Sequence, residues 1–156
     1  MNKYYVIIIA IMVCITDQIL KYLILSRLYF AEDISVAKNF LSITKVYNTG
    51  AAFSLFEEST GLLIIFSLIV SVAIILYILK KDTKLELPYL WAWGLILGGT
   101  VGNLLDRLIH GYVVDFIRLD FLKFPIFNFA DLSINIGAFI VIVYSLIKLR
   151  KTAQEL

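Results

Sequence analysis

Asp115 and Asp131 stand 16 positions apart in a chain whose long apolar runs are built for lipid. A carboxylate beside such runs is costly to keep, so by default it marks a functional site. Two of them suggest acid/base chemistry: an ionised carboxylate takes a proton from water while a protonated neighbour donates to a carbonyl oxygen. Such a pair titrates as a unit, and low dielectric favours its singly ionised state. Other readings stand beside this one. Asp131 immediately precedes an apolar helical run, the place of an N-cap aspartate, which accepts from free backbone N–H groups. Asp115 reads equally as a surface carboxylate partnered by Arg118 or Arg107.

The positioning elements follow from composition and run length. Of 156 residues, 61% are hydrophobic and only 17% charged, with mean hydropathy +0.91; a soluble domain is nearer half apolar. This is the composition of an integral membrane protein. A lone cysteine, Cys14, excludes an intramolecular disulfide, and with one histidine beside it a zinc or other metal centre is not expected. No cofactor is expected. A net charge of +2, scattered along the chain, leaves no footprint for nucleic acid.

A helix needs about 20 apolar residues to cross a ~30 Å hydrocarbon core. Runs at 4–25, 61–79, 87–105 and 132–147 fit, the first interrupted by Asp17, Gln18 and Lys21, the last followed by Lys148, Arg150 and Lys151, which can snorkel. The expectation is an all-α membrane protein, one domain over 1–156, with four transmembrane helices. Lys3 ahead of apolar residues also fits a signal peptide, but Val13 before Cys14 is not the small residue a processing site wants, so an uncleaved first helix is expected. Lysines crowd the short connection from Lys80 to Glu86 and basic residues mark both ends, which places these in the cytoplasm. The outer connections, 26–60 and 106–131, then carry Asp115 and the approach to Asp131.

Those connections are not plain loops. From Phe40 to Tyr47 apolar and polar residues alternate, between turn signals at Asn39 and Asn48-Thr49-Gly50, as in a half-buried strand. A small extracytoplasmic β-sheet is expected. The aromatic-rich stretches Val113 to Ile117 and Phe121 to Phe127 suggest a short interfacial element.

Other marks carry their own readings. Asp17 and Lys21, at i, i+4, fit a helical ion pair, and Asp106-Arg107 an interfacial one. Gly98 with Gly102 fits close helix packing, and His110-Gly111 a helix C-terminus. Asn48, Asn103, Asn128 and Asn135 are unusual in so apolar a chain; such amides either hold an extended peptide or cap and join helices. A small proton- or ion-coupled transporter is the alternative use of membrane carboxylates, but it calls for acids nearer the bilayer centre and inverted repeats, neither of which is evident.

Five segments bear on the choice: Thr16-Asp17-Gln18-Ile19-Leu20-Lys21, Asn48-Thr49-Gly50-Ala51-Ala52-Phe53-Ser54, Gly98 through Arg107, Val113-Val114-Asp115-Phe116 and Phe127-Asn128-Phe129-Ala130-Asp131. In this order they resemble lipoprotein signal peptidase, or signal peptidase II, over nearly the whole chain. The resemblance implies an aspartic endopeptidase of the bacterial cytoplasmic membrane that cleaves diacylglyceryl-modified prolipoproteins just before the lipidated cysteine. It implies Asp115 and Asp131 as catalytic, Asn48 and Arg107 as holding substrate, Gly50, Asn103 and Asn128 as shaping the pocket, and Asp17 with Lys21 as structural support. Membrane lipids and globomycin-type inhibitors are the further partners it implies. Tyr47 departs from the family, which often has a basic or imidazole side chain there.

Overall fold

The computed structural model describes residues 3–50, 60–80 and 85–154. Four long helices carry the chain: α1 (Tyr5–Arg27), α2 (Thr60–Leu79), α3 (Leu87–His110) and α4 (Phe129–Gln154). A sheet is inserted around them, from β1 (Ile34–Ala37), β2 (Leu41–Asn48) and β3 (Val113–Leu119). The Ala51 to Ser54 part of the second motif, and Lys81 and Lys84 of the cytoplasmic-loop reading, lie outside the described residues.

α1, α2 and α4 are long and apolar enough to cross a membrane. α3 has 24 residues, the same length class, but carries Asn103, Asp106 and Arg107 in its last turns. It packs against all three other helices, so these polar groups find protein partners rather than lipid. Close approach makes this possible. A Cβ on Gly98 would lie 2.6 Å from the carbonyl oxygen of Ala10 on α1, and one on Gly102 would lie 2.6 Å from Asp17 Oδ2. α3 ends as expected after His110: Gly111 takes φ +79° and returns its N–H to Arg107.

Three boundaries differ from the sequence reading. α3 continues through Asp106 and Arg107 to His110, so these are helical rather than part of the outer connection. α4 begins at Phe129, placing Asp131 inside its first turn, and runs through the basic cluster to Gln154. Residues Val113–Leu119 form a strand where the sequence suggests an interfacial element. The reason is burial on both faces: Val113 through Phe116 are all buried, which erases the alternation that identifies a half-exposed strand.

The sheet is antiparallel in the order β1-β2-β3. Val114 and Phe116 pack on Ile24 of α1, so period-two geometry turns Val113 and Asp115 to the opposite side. Beyond β3 the chain folds back along it. The N–H groups of Phe116 and Ile117 donate to the Phe127 carbonyl at 3.0 and 2.8 Å, and Phe127 N–H returns to Ile117 at 3.1 Å. That return places the start of α4 beside Asp115. The sheet is tied to α1 by Lys45, a buried lysine whose ammonium donates to the Leu28 carbonyl at the helix C-terminus.

Candidate active site

Asp115 is 3% exposed. Its Oδ2 accepts from Asn48 Nδ2 at 2.8 Å and its Oδ1 from Asn128 Nδ2 at 2.7 Å. Asp131 is held by a reciprocal box at the start of α4. Its backbone N–H donates to Asn128 Oδ1 at 2.9 Å, while its Oδ2 accepts from the Asn128 N–H at 3.2 Å. Asn128, not Asp131, is therefore the cap residue, and Asp131 sits three positions inside. The intervening N–H of Ala130 donates to Asp17 Oδ1 at 2.9 Å, so a second helix satisfies another free donor of this turn.

Charge balance behind the pair rests on Lys21. Its ammonium has three protons and three acceptors: Asp17 Oδ2 at 2.8 Å, Asp106 Oδ2 at 3.0 Å and Asn103 Oδ1 at 2.9 Å. Asp106 also accepts from Val114 N–H and from Gln18 Nε2. These contacts decide which way three asparagines face. Asn103 must offer its oxygen to Lys21, so its Nδ2 faces Asp131 Oδ1 at 2.7 Å. Asn128 offers its oxygen to a backbone N–H, so its Nδ2 faces Asp115 and, at 3.1 Å, Asn103 Oδ1. Asn48 offers its oxygen to Gly50 N–H, leaving its Nδ2 for the other oxygen of Asp115. Each amide is oriented by a group that can only donate, and each presents N–H to one of the two carboxylates.

Both carboxylates line a cavity of about 640 Å³, together with Asn48, Gly50, Asn103 and Arg107. Arg107 donates from Nη2 to the Gly50 carbonyl at 3.1 Å, and its Nε is buried in the cavity wall without a partner among the described residues. Burial, and then the negative charge of Asp131, push the Asp115 carboxyl up to about 7, against the pull of hydrogen bonds from Asn48 and Asn128. An aspartate that keeps its proton to neutrality beside a second carboxylate is equipped for general acid/base chemistry.

The family model for signal peptidase (SPase) II matches residues 9–147. The chain belongs to the signal peptidase II family. It is similar to the lipoprotein signal peptidase of Enterococcus faecalis, with 39% identity over 89% of this chain and 85% of the relative. It is similar also to that of Neisseria meningitidis, with 36% identity over 99% and 94%. Among solved structures, a bacterial membrane enzyme at 2.3 Å resolution superposes with TM-score 0.85 at 35% identity, covering 90% of this chain and 87% of the other. The transporter alternative finds no support.

Within this signal peptidase II fold, the sequence-expected residues Asp17, Lys21, Asn48, Gly50, Asn103, Arg107, Asp115, Asn128 and Asp131 form one connected site. Two bland readings are corrected. Asp106 and Arg107 do not pair: adjacent helical residues point about 100° apart, and Asp106 faces Lys21 while Arg107 faces the cavity. Arg118, offered as a partner for Asp115, instead pairs with Asp33 and Asp120 at the surface. Gln18 and Lys45 are the contributors that sequence reasoning misses. Gln18, which bonds Gly102 O and Asp106 at 3.1 and 2.9 Å, is signalled by an amide next to a charge inside an apolar run; Lys45 has no signal beyond being a lysine in a strand.

Proposed function

We propose that Asp115 and Asp131 are the catalytic dyad with which this enzyme removes the signal peptide from diacylglyceryl-modified prolipoproteins, cutting before the lipidated cysteine. The observation that carries the reading is the buried bridge at Asn128, whose Nδ2 donates to Asp115 and whose N–H donates to Asp131, behind the wall of the cavity that both carboxylates line. Residues 1–156 act as one domain, with both termini cytoplasmic and the dyad near the outer face. Substrate lipid chains stay in the bilayer, and globomycin-type peptides compete for the cavity.

Asp131 serves as the base. It stands at the positive end of α4 and lines the cavity with the Arg107 guanidinium. Asp115 carries the proton. Asp131 takes a proton from water, the oxygen attacks the scissile carbonyl carbon, and Asp115 O–H donates to the carbonyl oxygen, giving a tetrahedral diol. Asp131 then passes its proton to the leaving nitrogen, the C–N bond breaks, and Asp115 recovers a proton from the diol as the new carboxyl forms. Arg107 and Asn48, which line the cavity, hold the substrate peptide on either side of the scissile bond.

Asp115→Asn and Asp131→Asn, each purified in detergent with a lipidated precursor, are expected to stay folded and lose turnover. Near-normal cleavage by either variant sinks the dyad assignment.

A further inference from the structure

Four asparagines stand out in the sequence, and three are bound into the carboxylate network. Asn135 is not. It lies on α4 one turn beyond Asp131, lines the same cavity beside Ile134, and is exposed. Among the described residues its amide has no hydrogen-bond partner. Four residues at 1.5 Å each put it about 6 Å further along the helix, which on the orientation proposed above is toward the bilayer interior. Ile126, Phe127 and Ile134 are among its neighbours on the cavity wall. An unpaired amide facing that environment is unfavourable unless something that enters the cavity pairs with it.

We infer that Asn135 binds the backbone of the substrate's signal segment, pairing one peptide N–H and C=O as the segment descends from the scissile bond. This rests on the peptidase reading above. A carboxamide carries a donor and an acceptor side by side, the same pair that each extended peptide unit presents. A peptide entering lipid in extended form has to satisfy both groups at every residue. The ester carbonyls of the diacylglyceryl group only accept, so they use half of what the amide offers. Asn135 is thus a binding residue that extends the grip of Asn48 and Arg107 one step inward, away from the reacting atoms.

The test compares the full-length enzyme with Asn135→Leu on a lipidated precursor peptide and on a series in which single backbone amides of the signal segment are replaced by esters. On the all-amide substrate Asn135→Leu is expected to lose roughly ten- to a hundredfold in kcat/KM, carried mainly by KM, the size of two hydrogen bonds. Its melting temperature should be unchanged or higher, because no protein contact is lost. For one ester position the loss should shrink, since the wild type can no longer use the missing N–H and keeps only its bond to the carbonyl. A change under twofold on the all-amide substrate overturns the inference. So does an undiminished loss at every ester position, and a loss that vanishes only when the lipid esters are replaced by ethers assigns Asn135 to the lipid instead. Asp115→Asn runs alongside: cleavage by that variant would refute the dyad, whereas an inactive Asp115→Asn with an indifferent Asn135→Leu refutes only the present inference.

Discussion

Replacing Asp115 with asparagine should remove activity and, at alkaline pH, relieve the fold. The carboxyl is pushed up from the ordinary 3.8 to about 7, first by burial and then by Asp131. Between those two pH values the folded protein holds a proton that the unfolded chain has lost. Stability therefore falls as pH rises through the window and levels off above about 7, the reverse of a salt-bridged carboxylate. At 1.36 kcal/mol per pH unit the full cost of ionising Asp115 is about 4 kcal/mol, an order-of-magnitude figure of which about 3 kcal/mol accrues between pH 5 and pH 8. The carboxamide of the variant cannot ionise, so it escapes this cost. It does lose something, because its own NH₂ must face the NH₂ of either Asn48 or Asn128, forfeiting one hydrogen bond worth about 1 kcal/mol. Thermal unfolding of both proteins in the same detergent, from pH 5 to pH 8, isolates the difference. The wild type should drop by roughly 5–10 °C more than the variant over that range, and wild-type kcat/KM should decline on the alkaline side near pH 7. Parallel melting curves, or a rate that stays flat to pH 9, would show that Asp115 holds no proton at neutrality and would remove its role as the acid.

Two further substitutions probe the support beneath the dyad. Lys21→Met leaves Asp17 and Asp106 buried without their shared cation, and should cost about 3–5 kcal/mol, read as a large loss of melting temperature and of monodisperse protein in detergent. Gly98→Ala forces a Cβ to 2.6 Å from a backbone oxygen of α1 that cannot swing aside, so a loss of about 1–3 kcal/mol is expected from separation of α1 and α3; an unchanged melting temperature would contradict the packing.

The parts of this molecule legible in the sequence are those whose signal is local. Apolar runs announce α1, α2 and α4, and alternation from Phe40 to Tyr47 announces β2 within one residue. β3 is hidden because it is covered on both sides. The end of α3 is hidden because Asp106-Arg107 reads as a water-facing pair, when Asp106 is in fact stabilised by Lys21, 85 positions away in the chain. The cap of α4 is Asn128 rather than Asp131; the two bond reciprocally like a capping box, but with Asp where that pattern has Glu or Gln the sequence points to Asp131 instead. For the site, residue types are legible through a family resemblance, but orientation is not. Which side of an amide faces Asp115 is decided by donors on other elements, and no spacing along the chain encodes it.

On the proposed reading, the same network keeps a proton on the pair. Four carboxylates, Asp17, Asp106, Asp115 and Asp131, share two cations, Lys21 and Arg107. Lys21 spends all three of its protons on Asp17, Asp106 and Asn103, so none reaches the dyad directly. What reaches it is amide N–H, polarised by that ammonium through Asn103 toward Asp131, and offered to Asp115 by Asn48 and Asn128. Neutral donors orient a carboxylate without supplying the full charge that would strip its proton. A lysine placed directly on Asp115 would hold it ionised and silence the acid role proposed for it; an amide relay fixes its geometry and, on that reading, leaves it protonated.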